Sequence, residues 1–305
     1  MRDIILRTTQ LTKHYKSFSA LENVSMTASQ GDIYGLVGKN GAGKTTFMKL
    51  ITGLTEPTAG EYEIFGKTGF AANAERNRIG CLIEEPAFFG NLTAKQNLRY
   101  YCELKGITDR GQIGRVLELV HLTDAADRKF KTFSLGMKQR LGIAFALLDR
   151  PDLVVLDEPI NGLDPIAISE MRDTLRKLNR ELGITMIISS HILTELYAIA
   201  NKFLFIDNGK VLREVTKEEL DKECSRCIIL KTDDTRQAAA VLESKTGISE
   251  YAVIDSTEIR IYETKVKSCD INRQLVLQDV TVHAIYESGA SLEDYFKQLV
   301  GEGTK

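Results

Sequence analysis

An α/β protein with a mostly parallel sheet, followed by a small α+β domain, is the architecture that this 305-residue sequence predicts. Three observations carry the prediction. Apolar runs at 33–37, 153–156 and 184–189 alternate with helical stretches, as in strands buried on both faces between crossover helices. Helix signals crowd together between about 87 and 150, as in a helical subdomain inserted into a sheet. Beyond residue 220 the order becomes strand, helix, strand, strand, helix, strand, which is the ferredoxin-like, split βαβ arrangement. The expected domains are therefore 1–220 and 221–305.

Composition narrows the function classes. Apolar residues make up 43% and charged residues 27%, which is ordinary for a soluble protein. A net charge of −2 argues against a nucleic-acid partner. The longest apolar stretch, 141–148, falls far short of the ~20 residues that cross a bilayer. Residues 1–7 hold no long apolar core and no small-residue cleavage site, so a cytoplasmic location is expected. Five cysteines form no regular framework and read as reduced thiols. Cys224-x-x-Cys227, with Cys269 and His283, leaves a zinc site open as an alternative.

Taken in order, residues 4–37 alternate short β-branched runs with turns, predicting a β-rich flap that contains Tyr15 and leads into a buried strand at 33–37. A helix is expected over 44–52, stopped by Gly53. Pro57-Thr58-Ala59-Gly60 marks a turn, and 61–65 a strand that returns to the flap. Thr93-x-x-Gln96 is a capping box, and Ile113, Val116, Leu117 and Val120 share one helical face. The strand at 153–156 ends in Asp157 and Glu158. Pro165 opens a helix that Gly183 closes, and Asn208-Gly209 turns a hairpin after 203–206. Thr216-x-x-Glu219 caps a short charged connecting helix. The C-terminal elements are expected at 227–230, 234–246, 251–254, 258–262, 270–277 and 281–286, with a last helix capped by Ser291-x-x-Asp294.

The chemistry centres on Gly38-Lys39-Asn40-Gly41-Ala42-Gly43-Lys44-Thr45-Thr46, which has the spacing G-x-x-x-x-G-K-[ST] of a P-loop. Its glycines let successive backbone N–H groups turn inward on phosphate oxygens, at the N-terminus of a helix whose dipole favours an anion. Lys44 is placed for the β- and γ-phosphates of a nucleoside triphosphate and Thr45 for Mg²⁺. The first sheet is thus that of a P-loop nucleotidase. Asp157 would hold the metal directly or through water, and Glu158 would polarise the attacking water as general base.

Phe133-Ser134-Leu135-Gly136-Met137-Lys138-Gln139-Arg140 resembles the signature motif of the ATP-binding-cassette (ABC) transporter ATPases, usually written LSGGQ. Ser134 and Gly136 match, whereas Leu135 and Met137 depart. Asn161-Gly162-Leu163-Asp164 stands where the family has its D-loop, and His191 where it has its switch histidine. The resemblance covers about residues 2–220 and implies ATP and Mg²⁺ as ligands. It further implies a second copy whose Ser134 and Gly136 complete each site together with Asp164, Tyr15 stacking on adenine, and His191 at the γ-phosphate. The family's common glutamine after strand 81–83, which reaches the metal and the membrane partner, is replaced by Glu84, so the resemblance implies Glu84 at Mg²⁺ with Thr45 and Asp157, or Glu85 as the alternative. Glu84-Glu85-Pro86-Ala87-Phe88-Phe89 resembles the branch of exporters for lantibiotic immunity and bacitracin-type resistance. That branch implies an ATPase on the inner face of the membrane, coupled to ABC-2-type permease subunits through the helical subdomain and Phe88 or Phe89. A soluble cassette ATPase with a non-transport partner, or an exporter of another substrate, is the alternative.

Overall fold

A computed structural model of the protein describes residues 3–84, 87–109, 111–224, 227–262, 266–288 and 292–302. Glu85 and the Ser291 cap lie outside the described residues. The chain divides into two compact units, Met1–Lys217 with Leu299–Lys305, and Glu218–Gln298.

The first unit opens with two 12-residue antiparallel strands, β1 (Ile4–Tyr15) and β2 (Phe18–Ser29). They are longer than the short runs visible in the sequence because the pairing register shifts repeatedly and Gln10 and Asn23 take positive φ. Such bulges interrupt the alternation that marks a strand. Next comes β3 (Ile33–Val37), buried at every position, and the cradle that leads into α1 (Lys44–Ile51). Phe47, Met48, Leu50 and Ile51 of α1 are wholly excluded from solvent, in a core shared with Leu6, Leu21 and Ile64. Pairing β4 (Ala59–Ile64) with β1, and the short β5 (Lys67–Thr68) with β4, completes a flap of order β2-β1-β4-β5.

After α2 (Gly69–Glu75) and β6 (Ile79–Leu82) the chain leaves the sheet for α3 (Ala94–Leu104), α4 (Gln112–Leu119) and α5 (Leu135–Ala146). The Thr93–Gln96 capping box is formed, and Ile113, Val116, Leu117 and Val120 are all buried. β7 (Leu153–Leu156), α6 (Pro165–Leu182), β8 (Thr185–Ser190), α7 (Leu193–Tyr197), β9 (Lys202–Asp207) and β10 (Lys210–Thr216) complete the unit. Its six-stranded sheet runs β10-β9-β3-β8-β7-β6, parallel throughout except for the β9–β10 hairpin. β3, β7 and β8 are buried along their whole length, which explains why they read as continuous apolar runs.

The division between the units falls at the start of α8 (Lys217–Cys224), whose first turn the sequence expectation gave to the first domain. β11 (Cys227–Thr232), α9 (Thr235–Val241), β12 (Tyr251–Val253), β13 (Glu258–Ile261), α10 (Ser268–Leu277) and β14 (Val282–Ser288) follow, and α11 (Leu292–Glu302) is the last element. The sheet order β12-β13-β11-β14, with every neighbouring pair antiparallel, is the ferredoxin-like topology. Ile228, Leu230, Leu242, Ile259, Ile261, Ile271 and Leu275 form its core. α9 continues as a π-turn over Leu242–Thr246 before Gly247 ends it at φ +69. Among the described residues no helix is long and apolar enough to cross a membrane.

Candidate functional site

Parallel strands deliver their following residues to one edge of a sheet, and there the cradle, the ends of β7 and β8, and the loops after them converge. The cradle is shaped by close approach. A Cβ on Gly38 would stand 2.4 Å from the Ile206 carbonyl oxygen, and one on Gly43, whose φ is +109, would stand 2.7 Å from that of Ala20. Only glycine fits these two places. Gly43 also leaves α1 without a side-chain cap, whereas Thr93, Ser134 and Asp164 close α3, α5 and α6. The first-turn N–H groups of α1 have no intrahelical acceptor, so this helix end suits an anion.

Lys44 is 4% exposed. Its Nζ donates to the carbonyl oxygens of Gly38 (2.7 Å) and Lys39 (3.2 Å) and lies 3.4 Å from Glu158 Oε1. A buried ammonium would be costly without these partners, and it gives the cradle a fixed positive charge. One residue on, Thr45 Oγ1 donates to Asp157 Oδ2 at 2.7 Å. Ser189, wholly buried at the end of β8, donates its hydroxyl to Asp157 Oδ1 at 2.6 Å and accepts the backbone N–H of Glu158 at 2.9 Å. A single hydroxyl therefore fixes both carboxylate residues. Glu158 holds a positive φ of 47°, and its Oε2 takes Asn161 Nδ2 at 3.0 Å and faces His191 Nδ1 at 3.1 Å. The turn after β8 is tied by Ser190, which donates to Glu195 and accepts the Ile192 N–H. Burial raises the Glu195 carboxyl above its ordinary value.

Of the sequence-predicted residues, Lys44, Thr45, Asp157, Glu158 and His191 come together. Glu84 does not join the Thr45–Asp157 pair. At φ +65 its carboxylate is held instead by Lys49 Nζ at 2.5 Å, although Glu84, Thr45, Asp157 and Glu158 all line one cavity of about 580 Å³. Leu135, Lys138, Gln139 and Gly162 line it too. Ser134 accepts the Met137 N–H as the cap of α5, and Gly136 lies where a Cβ would touch Ala167 and Leu163 at 3.6 Å, so the signature segment rests on the D-loop segment of its own chain. Asp164 caps α6 by accepting from Ile166 and Ala167. Tyr15, 45% exposed at the end of β1, has the Lys13 ammonium 5.0 Å from its ring centroid. Phe88 packs edge-on against Tyr101, Phe130 and Phe145, whereas Phe89 is exposed beside Tyr100. Ser189 and Lys49 carry no site role in the sequence reading, and Asn161 appears there only as the start of the D-loop segment, not as a partner of Glu158. Lys49 alone carried a usable signal, since it stands one helical turn from Thr45.

The donors at Thr45 and Asp157 are hard oxygens, few in number, which fits Mg²⁺ better than a protein-caged metal, because Mg²⁺ is usually shared between one or two side chains and phosphate. Among the described residues no three or more His, Cys, Asp or Glu side chains gather as a metal cage, and the zinc alternative gains no support.

Comparison with known proteins is consistent with this geometry. A family profile described as ABC transporter matches residues 21–161. The chain is 42% identical over 301 residues to the bacitracin transport ATP-binding protein BcrA of Bacillus licheniformis, covering 98% of each chain. It is 41% identical over 210 residues to the lantibiotic transport ATP-binding protein SrtF of Streptococcus pyogenes, covering 69% of this chain and 90% of that one. Among solved structures it resembles the ATP-binding cassette MJ0796, determined as a dimer in a post-hydrolysis state with ADP and Pi. The TM-score there is 0.63 at 26% identity, over 70% of this chain and 99% of that one.

Proposed function

Since the chain belongs to the ABC transporter family of ATP-binding proteins, we propose that it is the ATP-hydrolysing subunit of an exporter that expels a peptide antibiotic of the bacitracin or lantibiotic kind. The observation that carries the catalytic part is the position of Glu158, a carboxylate fixed between the buried Lys44 ammonium and the His191 imidazole. Residues 1–220 act as the ATP-binding domain and 221–305 as an accessory domain.

In this reading Gly38–Thr46 wraps the phosphates and Tyr15 offers its exposed ring to adenine. Thr45 and Asp157 hold Mg²⁺, which supplies charge neutralisation at the phosphates when bound. Glu158 accepts a proton from the attacking water. His191 and Asn161 keep the Glu158 carboxylate turned towards the phosphate side, and Ser189 holds Asp157 and Glu158 in register. Ser134, Gly136 and Asp164 belong to the site of a second copy, so two chains close over two ATP molecules and separate after hydrolysis. The dimeric MJ0796 cassette supports that arrangement. The exposed Phe89, Tyr100 and Leu104 of the helical subdomain form an apolar face suited to an ABC-2-type permease at the inner face of the membrane.

Two measurements test the proposal. Purified Glu158→Gln protein run on a sizing column with ATP and Mg²⁺ should migrate as a dimer, and a monomer at saturating ATP would refute the sandwich. Cells that carry this chain with its permease should survive bacitracin-type or lantibiotic peptides better than cells with Glu158→Gln. Equal survival would refute the substrate class while leaving the ATPase assignment standing.

A further inference from the structure

α1 presents two contacts one turn apart on a single face. Thr45 reaches Asp157 at 2.7 Å and Lys49 reaches Glu84 at 2.5 Å. Glu84 brings a third carboxylate to a cavity that Asp157 and Glu158 already line and that Thr45 joins to the proposed phosphate cradle. Uncompensated, that charge would repel ATP before any metal arrived. The lysine that lines the cavity itself, Lys138, directs its ammonium to the Phe130 ring, 5.6 Å from the centroid. Lys49 also stands in the last turn of α1, where the helix dipole favours a cation.

We propose that Lys49 is a positioning residue for Glu84, neutralising the carboxylate and holding it to the face of α1 so that the cavity accepts ATP. The hydrogen bond that Lys49 donates to Glu84 raises the ammonium above its ordinary value. Both partners are partly solvated, with side chains 32% and 65% exposed, so the pair tunes affinity modestly. This inference rests on the ATP-binding role proposed above.

The experiment is a double-mutant cycle read by calorimetric titration of ATP in EDTA, where no metal is present and no hydrolysis occurs. In the wild-type background Lys49→Met should weaken ATP binding about fivefold. In the Glu84→Gln background the same substitution should change it less than about twofold, because no charge remains to compensate. Lys49→Arg should keep wild-type affinity, and Lys138→Met should have the same effect whichever residue stands at 84. Melting curves identify any variant that fails to fold, for which Lys49→Gln substitutes. Equal losses from Lys49→Met in both backgrounds overturn the inference, as does a Lys138→Met effect that depends on residue 84. Wild-type protein that binds no ATP overturns the proposed function as well.

Discussion

The two units use their interiors in opposite ways. In the first, polar groups are carried into the core and made to converge: Lys44, Ser189 and Ser190 are each at most 4% exposed, and all lie at the C-terminal edge of the sheet. In the second, the described core cluster is aliphatic, the hydroxyl-bearing side chains buried in the unit are Thr232, Thr235 and Tyr295, and polar pairs such as Arg260–Glu258 and Tyr251–Glu243 stand towards the surface. Buried polar groups cost stability unless every partner is supplied, so a fold gathers them where chemistry requires it. The difference teaches that the first interior is built around a reaction and the second around packing.

The largest effect that would sharpen this contrast comes from Lys44→Met. It should weaken nucleotide binding and turnover by about a hundredfold or more while leaving the far-ultraviolet circular dichroism intact. Near-normal ATP binding would break the contrast at its centre. Next is Leu230→Ala in the second core, a fully buried side chain whose truncation should cost about 2–5 kcal/mol in the chemical denaturation of that unit. The KM for ATP should stay within about twofold of wild type, because the two cores share no residue. Ser189→Ala removes a buried hydroxyl that serves Asp157 and the Glu158 backbone, so it should cost about 1–3 kcal/mol of stability and lower kcat more than it raises KM.

The smallest effect concerns Glu195. Burial raises its carboxyl in the folded chain, so the neutral form is favoured there and ionisation destabilises the fold. Glu195→Gln should therefore be more stable than wild type at neutral pH, with the advantage fading as pH falls through the folded value and vanishing below the unfolded one. Melting temperatures of the two proteins across pH check the sign. An advantage that grew on acidification would show that the Ser190 contact outweighs burial.

Much of this was legible in the sequence because it is written locally. The P-loop spacing, the capping box at Thr93, Pro165 with Gly183, and the carboxylates at the end of β7 each depend on a few neighbouring residues. The ferredoxin-like topology followed from element order. What escaped depends on chain paths that no local pattern encodes. Ser189 acts only because β8 lies beside β7, and Lys49 meets Glu84 only because the chain turns left-handed at Glu84. The flap strands were read as fragments because the bulges near Gln10 and Asn23 break their period.

The seat of α1 has a consequence in time. With Phe47, Met48, Leu50 and Ile51 sealed in the core, the cradle helix cannot rotate or slide without opening the hydrophobic interior, so its amides should exchange with deuterium only as slowly as the unit unfolds. It is the stator of the machine. Whatever stroke accompanies ATP turnover falls to parts hung around it, among them the exposed side chains of Glu84 and Phe89.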